Sequence, residues 1–299
     1  MDFTKTMNEY VQAAEAAVAR YLPVPEKRTA FIAEAMNYSV LAGGKRLRPV
    51  LMRVCADVFG GCPEEMIEPF MAAIEMIHTY SLVHDDLPAM DNDQYRRGKK
   101  TTWAQYGEAI GILAGDGLLN YAYETAAKAF DYAADADDMK RIAEALRLLA
   151  SKPGIGGMLG GQAVDVMSEG KPLDKPLLDF IYKMKTSALI ECSMMIGAVL
   201  AGADSEAVRT IETVAEKVGI AFQIEDDILD VTSTLEVLGK PICSDEKNHK
   251  TTYVTLFGVD GASAYVQQLS NEALGLLDTL EKPDEFLRAM IVWLIHREK

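Results

Sequence analysis

Apolar residues recur at helical spacing along almost the whole of this 299-residue chain, and no run alternates as a half-buried strand must. Helix-period stretches cover 2–22, 27–41, 49–59, 69–86, 108–132, 138–150, 156–168, 176–201, 205–230, 261–280 and 284–297, separated by Gly, Pro, Asp or Asn. Pro49, Pro63, Pro69, Pro153, Pro176 and Pro283 fall where such helices would start or stop, because proline lacks the N–H that a helix interior needs. No Gly/Ser-rich or Pro-rich linker divides the chain. The expectation is one all-α domain over residues 1–299, a bundle of about ten or more helices. Several stretches are apolar on more than one face, so some helices must be central or lie at an oligomer interface.

The longest apolar stretch, Thr186 to Ala203, approaches membrane-spanning length, but Glu191 interrupts it among small residues. It reads as a buried core helix. Met1 to Tyr10 has neither the basic nor the apolar region of a signal peptide. Cys55, Cys62, Cys192 and Cys243 lack metal or redox spacing and read as free thiols, so a cytoplasmic location is expected. Lys and Arg number 30 against 45 Asp and Glu, a formal net charge of −15. That balance excludes nucleic acid as a partner. It would also repel an anionic substrate unless something local reverses the sign.

Two acidic clusters stand out, each near the C-terminal end of a long apolar stretch. The first is His84-Asp85-Asp86-Leu87-Pro88-Ala89-Met90-Asp91, and the second is Gln223-Ile224-Glu225-Asp226-Asp227-Ile228-Leu229-Asp230. A helix C-terminus is already the negative end of the dipole, so adjacent aspartates there cost stability that a divalent cation would offset. Asp226 and Asp230 share one helical face, with Asp227 beside them. Asp85 and Asp91 would not share a face on a continuous helix. Pro88 should break the helix and let a loop return Asp91 towards Asp85. Carboxylates without nearby Cys or His select hard ions, and Mg²⁺ typically shares its ligands with phosphate groups.

Cations cluster separately. Gly43-Gly44-Lys45-Arg46-Leu47-Arg48-Pro49 joins two helical stretches. Its glycines permit close backbone approach, while Lys45 and Arg48 offer a point charge and a fork for phosphate oxygens. It is not a P-loop, because Arg46 follows Lys45 where Ser or Thr is required and no strand precedes it. Tyr95-Arg96-Arg97-Gly98-Lys99-Lys100 follows the first acidic cluster closely enough to share an anion site with it. His78 lies seven residues before Asp85 on nearly the same helical face. Lys185-Thr186 places a charge within an apolar helix, and Gly239-Lys240 closes the segment after the second cluster.

The ordered set GGKRLRP, HDDLPAMDND, RRG, KTS, FQIEDDILD and LGKP resembles the trans-isoprenyl diphosphate synthases, most closely their bacterial farnesyl diphosphate branch. The resemblance covers about residue 27 to the end. It implies an all-α bundle of isoprenoid synthase type around a deep central cavity, usually a homodimer. The implied reaction is head-to-tail condensation of an allylic diphosphate with isopentenyl diphosphate. By resemblance, Asp85, Asp86, Asp91, Asp226, Asp227 and Asp230 would hold about three Mg²⁺ ions, some through water. Arg96, Lys185 and Lys240 would contact the allylic diphosphate. Gly44, Lys45, Arg48, His78 and Arg97 would serve isopentenyl diphosphate. Thr186 and Gln223 would present oxygens to the allylic cation, and the released diphosphate would take the final proton.

Product length falls to Tyr80 and Ser81. A large aromatic at the Tyr80 position, with the two extra residues of the first motif, accompanies a C15 product in the family. Helical geometry alone would point Ser81 more directly along the Asp85 face. Departures from the family's usual residues are Gln94, Tyr95, Lys100, Trp103 and His249, none of them a metal ligand or diphosphate cation. Competing readings are a C20 or other short-chain synthase, a terpene cyclase and a non-catalytic subunit. The separate GGKRLRP cluster argues against a cyclase, and six intact aspartates argue against a non-catalytic subunit.

Overall fold

A computed structural model describes residues 2–232, 251–281 and 284–295. The sequence positions Lys240, Cys243, His249 and Pro283 lie outside them. The helices are α1 (Phe3–Arg20), α2 (Ala30–Val40), α3 (Leu47–Val58), α4 (Glu64–Asp85), α5 (Thr102–Tyr106), α6 (Glu108–Ala127), α7 (Ala136–Ser151), α8 (Met158–Met167), α9 (Lys175–Ile181), α10 (Ala188–Leu200), α11 (Ser205–Thr232), α12 (Tyr253–Leu277) and α13 (Glu285–Ile295). A π-helical segment, Tyr182–Ser187, joins α9 to α10. The all-α expectation therefore holds. Among the described residues the exception is a two-stranded hairpin, Tyr95–Arg96 against Lys99–Lys100, inside the basic loop.

Helix starts follow local chemistry. Asp135 accepts hydrogen bonds from the amides of Asp137 and Asp138 at 2.9 Å and so caps α7. Asp174 caps α9 through the Leu177 amide at 3.1 Å. α12 starts earlier than its apolar pattern suggests, because Thr252 and Thr255 cap each other reciprocally. Pro69 is a correction. It lies inside α4, not at its start, where its missing N–H leaves one early carbonyl without a helical partner. Pro63 holds the N-cap position instead.

Every residue of α10 is buried, as the Thr186–Ala203 stretch suggested. α10 packs on α3, α4, α7 and α11, and α12 lies along α11. Glu191 is only 4% exposed within that apolar helix. It is tolerated because Lys152, just beyond α7, bonds both Glu191 and Glu212 of α11. The fold thus sets α4 and α11 on either side of α10, with their aspartate-bearing ends at one cavity. Among the described residues no helix is long and apolar enough to cross a membrane.

Candidate active site

α4 ends at Asp85, and the turn through Pro88 brings Asp91 back so that its amide donates to the Asp85 carbonyl at 2.8 Å. Asp86, 3% exposed, accepts Arg96 Nε at 2.8 Å and Arg96 Nη2 at 2.7 Å. Asp85 accepts Gln162 Nε2 of α8 at 2.8 Å. Burial pushes the Asp85 carboxyl up to about 6; Asp91 and Asp86 add repulsion, and Lys185 and Arg96 oppose it. On the other side, Asp227 and Asp230 of α11 are buried, and Asp227 accepts the Tyr182 hydroxyl at 2.6 Å.

Between these groups lies a cavity of about 140 Å³. Asp91, Asp165, Lys185, Thr186, Gln223 and Asp227 supply its polar wall. Leu178, Ile181 and the Tyr182 ring supply an apolar one. Lys185 Nζ donates to Asp165 Oδ2 at 2.7 Å, and the Thr186 hydroxyl donates to Gln223 Oε1 at 2.9 Å. Both Lys185 and Thr186 belong to the π-helical segment, a geometry frequent where function re-aims side chains.

The donor set suits a divalent ion. It is all carboxylate, and burial already disfavours the charge on Asp85 and Asp86. Gln162 Oε1 is buried beside Asp85 with no hydrogen-bond partner among the described residues. Among those residues no three carboxylate, imidazole or thiol groups already surround a single ion-sized point. Diphosphate oxygens and water would complete the coordination, as Mg²⁺ prefers.

A second compartment lies N-terminal along α4. The hairpin turn places Arg97 at φ 53° and Gly98 at φ 74°, the left-handed pair of a type I′ turn. It sends Arg96 to the acidic cluster and Arg97 to the glycine-rich loop, where Arg97 Nη1 donates to the Gly43 carbonyl. Gly44 has φ 142°, and a Cβ there would sit 2.7 Å from Arg97 Nη1. A larger residue would displace the guanidinium. Arg48 Nε is buried without a partner among the described residues. Burial pushes its guanidinium down to about 10, against the pull of Glu75 and with added repulsion from Arg97. His78 is held well below the usual imidazole range by burial and by Arg48, Arg97, Arg96 and Arg46. It therefore sits as a neutral ring among cations, upstream of Asp85 on α4. A recess lined by Thr79, Asp86, Arg96, Arg97 and Lys100 adjoins this group.

Gln162, Asp165 and Glu75 escaped the sequence reading, and Trp103 figures there only as a departure from the family's usual residues. Gln162 and Asp165 lie three apart on an otherwise apolar, glycine-rich stretch, which is the signal that could have marked them. Glu75 accepts Arg46 Nη1 at 2.7 Å and so neutralises the middle cation of the GGKRLRP cluster. Trp103 Nε1 donates to the Asp93 carbonyl at 2.8 Å and anchors the loop behind the first cluster. Tyr80 is buried against His84 with ring centroids 5.9 Å apart, and Ser81 donates to the His78 carbonyl at 2.9 Å. Neither residue lines the main cavity or the recess.

Residues 29–290 match the family model described as polyprenyl synthetase. The chain belongs to this family. Polyprenyl synthetases use divalent metal ions to bind diphosphate and act on isopentenyl and allylic diphosphates. A farnesyl diphosphate synthase of Geobacillus stearothermophilus is 45% identical over 261 residues, covering 86% of this chain and 84% of that one. A geranylgeranyl diphosphate synthase of Cyanophora paradoxa is 44% identical, covering 84% and 82%. Among solved structures, a Helicobacter pylori geranyltransferase complexed with magnesium and isoprenyl diphosphate superposes with a TM-score of 0.84 at 32% identity, covering 99% of this chain and 97% of that one. This polyprenyl synthetase thus keeps its acidic and cationic compartments on a fold shared over almost its full length.

Proposed function

We propose that this chain is a (2E,6E)-farnesyl diphosphate synthase. It condenses isopentenyl diphosphate head-to-tail with dimethylallyl and then geranyl diphosphate, and releases diphosphate at each step. The observation that carries this reading is the pair of oppositely charged compartments side by side on α4. An acidic cavity lies at its end, and a neutral histidine among arginines lies upstream. One compartment needs metal to accept a diphosphate, and the other accepts one directly.

In this reading Asp85, Asp86 and Asp91 face Asp226, Asp227 and Asp230 across the allylic site and hold about three Mg²⁺ ions, some through water. Bound Mg²⁺ would supply Lewis-acid stabilisation of the leaving diphosphate. Lys185 and Arg96 stand ready as cations, each already oriented by a carboxylate, Asp165 and Asp86 respectively. Lys240 is assigned the same role by resemblance. Lys45, Arg48 and Arg97, with Gly44 and neutral His78, bind isopentenyl diphosphate, and the unpaired Arg48 Nε offers it a donor. The Thr186–Gln223 pair fixes two side-chain oxygens in the wall where the allylic cation would form. Leu178, Ile181 and Tyr182 keep water from it. The departing diphosphate takes the proton that the new double bond releases.

The same reading makes 1–299 one catalytic domain in a cytoplasmic homodimer. Leu113, Ile155 and Leu159 are exposed apolar residues that suit a second copy. The test is incubation of the purified chain with isopentenyl diphosphate, Mg²⁺ and each of the C5, C10 and C15 allylic partners. Product analysis should show C15 from the first two and little elongation of the third. No turnover with any partner would sink the proposal.

A C20 product is the alternative, suggested by the geranylgeranyl diphosphate synthase relative. Tyr80 decides between them. It is 7% exposed on α4, upstream of Asp85. Tyr80→Ala should open space there and shift products beyond C15 by chromatography. An unchanged C15 product would remove Tyr80 from the account.

A further inference from the structure

Among the described residues two lysines line the main cavity, and the synthase reading uses only Lys185. Lys185 is already paired with Asp165 at 2.7 Å. Lys171 forms no ion pair among the described residues. Its ammonium donates to the Met167 carbonyl at 2.7 Å, one of the carbonyls left open at the end of α8. Glu169, Gly170 and Lys171 are exposed, whereas Leu178, Ile181 and Tyr182 of the same cavity are buried. The first three therefore form its mouth. The backbone there is held at several points. The Lys171 amide donates to the Ser168 carbonyl at 3.1 Å and closes a turn whose third residue, Gly170, has φ 69°. Further on, the Leu173 amide donates to the hydroxyl of Thr251, which lines the same cavity, at 3.3 Å. Asp174 then caps α9.

We propose that Lys171 is a further substrate-binding residue of the allylic site, its ammonium leaving the Met167 carbonyl to bond an outer oxygen of the allylic diphosphate. This rests on the synthase reading above. The exchange is favourable because a hydrogen bond between two charged groups is stronger than one to a neutral carbonyl. The helix end gives the ammonium only a modest hold, since Lys171 is exposed to solvent and salt. Lys185 would have to share its charge with Asp165, so Lys171 is the cation that this wall can offer without weakening an ion pair. The fixed turn sets where the Lys171 backbone sits, and the flexible four-carbon stem lets a point charge follow a phosphate oxygen whose orientation the metal decides. Glu169 shares the turn and also forms no ion pair among the described residues. It opposes an incoming anion at the same mouth, so the two side chains should act on the allylic substrate with opposite signs.

The test is steady-state kinetics of the full chain at saturating Mg²⁺, with geranyl diphosphate and isopentenyl diphosphate each varied against the other. Lys171→Gln should raise the KM for geranyl diphosphate about tenfold, the loss of one hydrogen bond to a charged group. The KM for isopentenyl diphosphate should stay as in the wild type, because that substrate's compartment lies elsewhere on α4. The kcat should hold as well. Lys171→Arg keeps the charge and should recover most of the loss. Glu169→Gln should lower the allylic KM, and added salt should shrink both effects. An unchanged allylic KM in Lys171→Gln, or an equal loss in Lys171→Arg, would overturn the proposal. So would a rise in both KM values together with a lower melting temperature, which would leave Lys171 as no more than the cap of α8. Wild-type chain without turnover would fell the synthase reading itself. Normal wild-type kinetics with any failure above would fell only the role of Lys171.

Discussion

Chelation of divalent metal should lower turnover by at least about 10³-fold, with recovery on adding Mg²⁺, because the charge that develops on the leaving diphosphate then loses its principal stabilisation. The cavity shows why. Its described wall carries Asp91, Asp165, Glu169 and Asp227 against Lys171 and Lys185, and Lys185 is already paired with Asp165. Asp86 likewise engages Arg96. A substrate diphosphate of about −3 would meet net negative charge at short range, where burial weakens solvent screening. Metal charge must therefore accompany the anion. Direct binding checks this separately from chemistry: allylic diphosphate should show no saturable binding up to millimolar concentration in EDTA and clear binding with Mg²⁺. Comparable affinity in both conditions would count decisively against the acidic cavity as the allylic site.

Arg46→Met should destabilise the protein by about 3–5 kcal/mol, read as a fall in the denaturation midpoint, because it breaks a buried ion pair and leaves Glu75 without its hydrogen-bonded cation, with only the charges of Arg48 and Arg97 nearby. The side chains of Arg46 and Glu75 are each only 4% exposed, and the pair is 2.7 Å apart. Arg46 Nη2 also donates to the Val40 carbonyl at 2.9 Å, and the residue itself is left-handed with φ 52°. It is the clamp that fastens the glycine-rich loop to α4. The double variant Arg46→Met/Glu75→Leu removes both charges and should recover most of the loss. If instead the double variant is as unstable as the single one, the loop conformation and not the buried charge dominates. Loss of the clamp should also raise the KM for isopentenyl diphosphate, since Gly44, Arg48 and Arg97 depend on that loop.

Much of this was legible in the residues. Helical period gave the element order, since a 3.6-residue repeat is a local property. Pro88 correctly forecast the break that returns Asp91 to Asp85, because proline acts on its own turn. The buried role of the Thr186 to Ala203 stretch, realised over Ala188–Leu200, followed from its length and composition. Pro69 misled, because one missing amide near a helix start is tolerable when a long apolar helix is otherwise well packed. Helical spacing alone could not show what surrounds His78. Its helical face was right, but the neighbours on that face come from the glycine-rich loop and the hairpin. The partners of site residues were out of reach: Gln162 meets Asp85 across 77 residues of sequence, and Tyr182 meets Asp227 across 45.

By itself the sequence determined an all-helical chain with two acidic helix ends and two basic loops, because period, proline and charge are written residue by residue. Only the tertiary structure decided which charges neutralise one another and which face the cavities. It pairs Arg46 with Glu75, Lys185 with Asp165 and Arg96 with Asp86, and it sets Asp227 between Tyr182 and the start of α12. The physical reason is that electrostatic interaction depends on separation in space and on burial, and neither is encoded in separation along the chain.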